Sequence, residues 1–145
     1  MASMTDRLWG VGNRVAVWLY RRTAGRVGGT ARQGTKVLLL TVPGRHTGNP
    51  HTVPVGYVER DGAYYVAASA GGRPSEPQWI RNLRASPTAA VQVGPTRRTA
   101  SVEVLRGAER DAAWNDVIVA TLPFFADYER KAGRTIAVAR LTPTA

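Results

Sequence analysis

The chain opens with a helical pattern and continues as short strand-like runs. Apolar side chains recur at helical spacing over residues 6–22, and arginines seven residues apart lie on another face. A glycine-rich link at residues 25–34 precedes residues 37–42, which are continuously apolar and too few for a typical helix. The pattern predicts an amphipathic helix, a flexible link and a buried strand.

Further short runs predict the rest of the fold. Strand patterns cover residues 53–58, 63–68, 89–93, 99–104 and 135–141, and helical patterns cover residues 76–85 and 109–121. Ser75 with Gln78 three residues later resembles a capping box for the first of these helices. About six short strands joined mainly by hairpins favour an α+β fold, a mainly antiparallel split β-barrel with peripheral helices.

Length and composition narrow the class of protein. The 145 residues predict a single split-barrel domain over residues 1–145, in which residues 1–35 form a basic amphipathic N-terminal helix and linker. The absence of cysteine excludes disulfides, thiolate metal sites and a cysteine nucleophile. With only His46 and His51 present and no GxSxG motif, neither a metal site nor a serine hydrolase is expected.

The charge is strongly positive and unevenly distributed. The formal net charge is +10, and Asp6 is the only acid in residues 1–58. Such a field suits an anionic cofactor or an anionic membrane surface, whereas no DNA-binding motif is present and no nucleic-acid partner is expected. No secretory signal or membrane-spanning run is seen. We expect a cytoplasmic protein. Its N-terminal helix has two interpretations: peripheral contact with the inner face of the cell membrane, or ordinary packing against the domain.

Two glycine-containing loops are candidates for ligand contact. Residues 44–50 combine two glycines with a guanidinium, an imidazole and a hydroxyl, which together suit a phosphate or carboxylate. Residues 69–72, with Gly71, follow a strand and would let a ligand approach the backbone closely. For both loops the alternative is a plain connection in which the glycines only serve the turn.

Three segments carry a resemblance to a known family. LLLTVPGRHTGNPHTVPVGYV, VAASAGG and PQWIRNLRASPTAAVQVG, in this order, resemble the deazaflavin-dependent nitroreductases, split-barrel oxidoreductases that use coenzyme F-420. The resemblance implies hydride transfer from reduced coenzyme F-420 to a small hydrophobic acceptor: a quinone, an activated alkene or a nitro compound. FMN, used by related barrels, is the second cofactor candidate, and a non-catalytic coenzyme F-420 or lipid carrier is the alternative function. A homodimer is compatible with this reading.

The resemblance also assigns a cofactor groove. The turn at Arg45 would lie at the phosphate end, and the residues around Pro54 and Ala68 would hold the ring largely through backbone. The expected cofactor-binding residues are Arg45, His46, Thr47, Gly48, His51, Pro54, Val55, Ala68, Ser69, Gly71, Trp79 and Asn82. His46 stands where relatives usually have Lys or Arg, and His51 where Arg is common, so affinity for the cofactor tail is expected to be lower or to depend on pH through the two histidines.

The acceptor side is expected to be aromatic. Trp18, Phe125 and Tyr128 are the candidate substrate residues, and Tyr128 is the candidate catalytic residue, donating a hydrogen bond or proton to the acceptor. For Tyr128 the alternative is an aromatic side chain at the edge of the core. Phe125 stands where some nitroreducing relatives have a tyrosine, which argues against reduction of nitro drugs.

Overall fold

Six strands form the body of the molecule. The computed structural model describes the backbone of residues 4–144 and the side chains of residues 12–144. The strands are β1 Lys36–Pro43, β2 Pro50–Arg60, β3 Ala63–Ala67, β4 Thr88–Val93, β5 Thr96–Val104 and β6 Val138–Pro143. They close into a barrel in the order β1-β2-β3-β6-β5-β4, with every neighbouring pair antiparallel. The predicted six-stranded antiparallel barrel is confirmed.

Helices surround this barrel. They are α1 Met4–Thr23, α2 Gln78–Arg84, α3 Gly107–Ala112, which continues as a π-helix over Ala113–Val119, and α4 Phe125–Ala132. The helical pattern at residues 6–22 therefore corresponds to α1, and the side chains of residues 6–11 lie outside those described. The capping-box prediction is wrong, because Pro77 is the N-cap of α2 and no side chain caps the helix.

The alternation of side chains along β3 separates two apolar clusters. Val66 and Ala68 are fully buried inside the barrel, in the cluster that also holds Val55. Tyr65 and Ala67 point the other way, toward the outer cluster formed with α3, the π-helix and α4. Ile80 and Leu83 of α2 are buried in the inner cluster. The inner face of the barrel and the α4 region are therefore on opposite sides of the same sheet.

Helix α1 packs on the outside of β1. Val17 and Tyr20 meet Val37 and Leu39 in a small apolar cluster. The Tyr20 hydroxyl lies 3.1 Å from the Val37 carbonyl, and it accepts a 2.8 Å bond from the Gly94 N–H. Burial raises the pKa of Tyr20. This one hydroxyl ties α1 to β1 and to the β4-β5 turn. Within residues 4–144, no helix has both the length and the hydrophobicity needed to span a bilayer.

The glycine-rich link after α1 is a series of turns. Gly25 N–H donates to the Tyr20 carbonyl at 2.9 Å, and Val37 N–H donates to the Gly29 carbonyl at 3.0 Å. Gly25 and Gly34 have φ of 83° and 76°, the left-handed region that glycine adopts without strain. The link is therefore an ordered connection, and its glycines serve turns instead of an extended flexible spacer.

Candidate functional site

A cavity of about 360 Å³ lies between the β1-β2 turn and helix α2. We call it the turn pocket. Its lining residues are Gly44, Arg45, His46, Thr47, His51, Val53, Gln78, Trp79 and Asn82. Six of these were expected from the sequence to contact a cofactor, so the fold brings together residues that lie up to 37 positions apart.

The β1-β2 turn is held by its own hydrogen bonds. Gly44 N–H donates to the Asn49 carbonyl and Gly48 N–H to the Gly44 carbonyl, both at 2.8 Å. Gly48 has φ of 77°, in the left-handed region. A Cβ at Gly44 would lie 2.8 Å from His51 Nε2 and 3.2 Å from Thr47 Oγ1, so a larger residue there would displace the exposed His51 ring. Glycine at this position therefore allows an imidazole and a hydroxyl to converge on the turn.

Arg45 is oriented by two amide side chains of α2. Its backbone N–H donates to Asn82 Oδ1 at 3.1 Å, and its guanidinium donates to Asn82 Oδ1 and to Gln78 Oε1, each at 2.8 Å. Asn82 is 6% exposed, so its amide has a fixed position. These bonds use two of the five guanidinium N–H donors and no negative charge. Among the described residues, none of the ion pairs includes Arg45, and its positive charge remains uncompensated.

The turn pocket also has an apolar wall, formed by Val53 and Trp79. Val53 and Trp79 are half-buried and pack against the inner cluster. Glu76, the acid that precedes α2, is paired with Arg84 and not with Arg45. It accepts hydrogen bonds of 2.7 and 2.8 Å from the Arg84 guanidinium. This hydrogen bond lowers the pKa of Glu76, with further lowering from the charges of Arg84 and Arg81. The pocket thus joins an oriented cation to an apolar surface, which fits a cofactor with a phosphate and a flat ring.

The remaining expected cofactor residues do not line the turn pocket. Gly48 is exposed in the turn, and Pro54 is half-buried opposite Leu39. Val55 and Ala68 are buried in the inner cluster, where side-chain contact with a ligand is limited. Ser69 and Gly71 lie in the loop between β3 and α2.

That loop is organised by Arg134, a residue that sequence reasoning missed. Arg134 Nη2 donates to the carbonyls of Ala68, Ser75 and Ser69 at 3.1, 3.3 and 3.4 Å, and its Nε donates to the Arg73 carbonyl at 3.2 Å. Arg134 follows Gly133, whose φ of 64° ends α4. Nothing in the local sequence distinguishes this arginine, because its partners lie about sixty residues earlier in the chain.

The three expected acceptor residues are divided between two places. Phe125 is 8% exposed and lies in the outer cluster, with Tyr128 packed against that cluster. Trp18 is 61% exposed on α1 and lines a depression of about 460 Å³ with Arg14, Val17, Arg21 and Arg22. The structure therefore does not gather Trp18, Phe125 and Tyr128 into one pocket of the described chain.

Comparison with known sequences identifies the family. A family model described as F420H(2)-dependent quinone reductase matches residues 12–143. The chain belongs to this family. Membership confirms the deazaflavin family expected from the three segments, the assignment as a coenzyme F-420-dependent reductase, and coenzyme F-420 as the cofactor. The carrier alternative is not favoured by this result.

Members and neighbours of the quinone reductase family match most of the chain. An F420H(2)-dependent quinone reductase of Mycobacterium tuberculosis is 32% identical over 126 residues, which is 86% of this chain and 85% of the relative. A solved F420-H2 dependent reductase, FDR-A, is 35% identical with a TM-score of 0.64, covering 72% of this chain and 92% of its own. A structure described as a domain-swapped dimer is 30% identical with a TM-score of 0.67, covering 96% and 99%.

Proposed function

We propose that this protein transfers a hydride from reduced coenzyme F-420 to a quinone. The observation that carries the proposal is Arg45, a guanidinium held by neutral amides at the edge of an apolar pocket. The family's quinone reductase description supports the acceptor class. Activated alkenes and nitro compounds are further candidate acceptors, and the missing hydroxyl at Phe125 disfavours the nitro compounds.

The β1-β2 turn would bind the anionic end of the cofactor. Arg45 has three N–H donors beyond those bonded to α2, and a guanidinium forms charge-assisted bonds to phosphate oxygens. His51 and the Thr47 hydroxyl converge on the same turn beside Gly44. Together these groups offer one fixed charge and several hydrogen bonds to a phosphate.

The apolar wall would bind the ring. Val53 and Trp79 present hydrophobic surface beside the turn, and an aromatic side chain favours contact with a flat conjugated ring. Backbone of β2 at Pro54 and Val55, and of the loop that begins at Ala68, would complete the ring end. The bonds from Arg134 hold that loop in one conformation.

Catalysis by this chain would consist of alignment and hydrogen bonding. When bound, reduced coenzyme F-420 supplies the hydride and, on oxidation, a proton, so that a quinone gains two electrons and two protons overall. The protein holds donor and acceptor in reacting geometry. Tyr128 belongs to α4, whose Lys131 side chain packs against Gly72 in the loop that begins at Ala68. From the outer side of that loop, Tyr128 would donate a hydrogen bond to the acceptor carbonyl oxygen, where negative charge develops as the hydride is added.

Helix α1 offers a surface for a lipid-soluble acceptor. Val15 and Trp18 are 52% and 61% exposed, and Arg14, Arg21 and Arg22 surround the Trp18 depression. Exposed apolar side chains among arginines suit contact with an anionic bilayer surface. We therefore propose a cytoplasmic enzyme that contacts the inner face of the membrane through α1.

The decisive experiment measures binding and turnover on one preparation. The purified protein is titrated with oxidised coenzyme F-420, with FMN beside it, and oxidation of the reduced coenzyme by menadione is then followed. We expect binding of coenzyme F-420, weaker binding of FMN, and menadione-dependent oxidation. Binding without turnover across quinones, alkenes and nitro compounds would support the carrier, and no binding would contradict both proposals. Light scattering on the same preparation tests whether the protein is a homodimer, the assembly that is compatible with the family resemblance.

A further inference from the structure

An arginine of the link after α1 contacts the aromatic residues of α4. The Arg32 guanidinium lies 5.1 Å from the centroid of the Phe124 ring and 5.8 Å from that of Tyr128. Its Nη1 also donates a hydrogen bond of 3.2 Å to the Tyr128 hydroxyl oxygen. The contact joins residues 96 positions apart. Arg32 thus meets the candidate catalytic side chain through both charge and hydrogen bonding.

Arg32 is presented by a tight turn. Gln33 has φ of 54°, an uncommon conformation for a residue with a side chain, and Gly34 N–H donates to the Ala31 carbonyl at 3.2 Å. Thr35, which is 4% exposed, donates to the Arg32 carbonyl from its hydroxyl at 2.7 Å and from its N–H at 3.1 Å. The backbone at Arg32 is therefore fixed where a flexible link was expected.

The Tyr128 ring is held from its other sides. It lies edge-on to Phe124, with centroids 5.7 Å apart and an interplanar angle of 84°, and to Phe125, at 5.2 Å and 77°. Both are the arrangements that aromatic pairs favour. The rings fix the direction of the Tyr128 C–O bond, and Arg32 then contacts the oxygen.

The hydrogen bond between Arg32 and Tyr128 can have only one donor. A guanidinium has hydrogen-bond donors and no acceptor, so the Tyr128 oxygen accepts the bond from Arg32. The hydroxyl hydrogen of Tyr128 consequently remains available for a second partner. We infer that Arg32 is a positioning residue that presents Tyr128 as a hydrogen-bond donor to the carbonyl oxygen of a quinone. The inference rests on the proposed function, in which Tyr128 contacts the acceptor.

The test is a double-mutant cycle with two readouts. Arg32→Ala, Tyr128→Phe and the double variant are assayed for menadione reduction, and menadione binding to the cofactor-free protein is followed by tryptophan fluorescence. Arg32→Lys tests rescue, and Arg26→Ala removes an equal charge from the same link as the matched control.

We expect Arg32→Ala and Tyr128→Phe each to lower kcat/KM on the order of tenfold, with the double variant no worse than either. Arg32→Lys should recover part of the loss, and coenzyme F-420 affinity should stay within about twofold of wild type.

Each outcome decides the inference. Independent, multiplying losses in the double variant would overturn it, because Arg32 would then act without Tyr128. Wild-type behaviour of Arg32→Ala beside a slow Tyr128→Phe would also overturn it and leave the proposed function intact. Unchanged turnover in Tyr128→Phe would overturn the donor role of Tyr128 and with it the inference, and would leave the cofactor assignment intact. If the wild-type protein fails to reduce menadione, the proposed function fails, and the binding readout then decides the inference. Equal losses of menadione binding in Arg32→Ala, Tyr128→Phe and the double variant would support the contact between Arg32 and Tyr128. Unequal losses would overturn it.

Discussion

Arg45 and Arg110 are both held by fixed partners, but the partners differ in charge. Arg110 is 8% exposed and donates to the Ile136 carbonyl at 2.7 and 2.9 Å, to Glu129 at 2.9 Å and to Asp111 at 3.1 Å. Its guanidinium also lies 5.0 Å from the Trp114 ring centroid. Arg45 is exposed, and among residues 12–144 the hydrogen bonds of its guanidinium go to the neutral amides of Asn82 and Gln78.

This difference distinguishes a structural arginine from one that is available to a ligand. Carboxylates neutralise the charge of Arg110, and burial makes its hydrogen bonds part of the packing around α4. Amides orient Arg45 without neutralising it, so most of its favourable interaction with an anion remains to be formed. The partners of an arginine are thus more informative about binding than its exposure alone.

The largest expected effect is the loss of stability in Arg110→Ala. The substitution removes the hydrogen bonds to the Ile136 carbonyl and leaves Glu129 unpaired at the edge of the outer cluster. We expect the free energy of unfolding to fall by about 3 kcal/mol, measured by urea denaturation. Arg45→Ala is the matched control and should lose less than about 1 kcal/mol. Equal losses in the two variants would contradict the division into structural and binding arginines.

The next effect is on cofactor affinity. Arg45→Ala should weaken coenzyme F-420 binding by about 30-fold, because a charge-assisted bond to phosphate contributes about 2 kcal/mol. A deazaflavin analogue without the phosphate tail should bind the variant and the wild type alike. Arg81→Ala is the control, since Arg81 is exposed on α2 and lies 3.8 Å from Glu76. Equal loss for the coenzyme and the tail-less analogue would rule out a phosphate role for Arg45.

Asn82→Asp converts the surroundings of Arg45 into those of Arg110. The side chain keeps its size, but the guanidinium now has a carboxylate partner, which competes with the phosphate for its charge. We expect coenzyme F-420 affinity to fall roughly tenfold, with little change in the midpoint of thermal unfolding. Isothermal titration measures the affinity, and Gln78→Glu repeats the test from an exposed position. Wild-type affinity in both variants would show that the net charge at Arg45 does not matter.

The barrel and the turn could be predicted because their signals are local. Side-chain alternation specifies which face of a strand is buried, and the two glycines at residues 44 and 48 accompany a short turn between two apolar runs. The involvement of Arg45, Trp79 and Asn82 in one pocket came from the resemblance of three segments in order. The sequence of the turn alone did not predict this pocket, because the same residues are also typical of an ordinary hairpin loop.

The contacts that were missed join distant parts of the chain. Arg32 meets Tyr128, and Arg134 meets the loop after β3, only because the closed barrel brings those segments together. The local pattern at Ser75 also misled, since α2 begins after Pro77 and the Ser75 carbonyl bonds to Arg134. An arginine in a sequence has no visible partner, so its role depends on tertiary structure.

The smallest expected effect concerns the ion pair of Glu76 and Arg84. Like Arg110, Arg84 bonds to a carboxylate, but the side chains of Glu76 and Arg84 are 24% and 40% exposed. Solvent screening should limit the contribution of this pair to about 0.5 kcal/mol, so Glu76→Gln should destabilise the protein only slightly at pH 7. The hydrogen bond from Arg84 lowers the pKa of Glu76 from its usual value of 4.5. The stabilisation is therefore present above pH 4.5 and is lost as the pH falls through the lower pKa of the folded state. Urea denaturation of wild type and variant from pH 7 downward should show the two stabilities converging in acid, with Glu59→Gln as the charge control. If the difference in free energy of unfolding between wild type and Glu76→Gln stayed constant with pH, the substitution would be disturbing the packing of α2. The weak contribution of this exposed ion pair, compared with the buried contacts of Arg110, would then be contradicted.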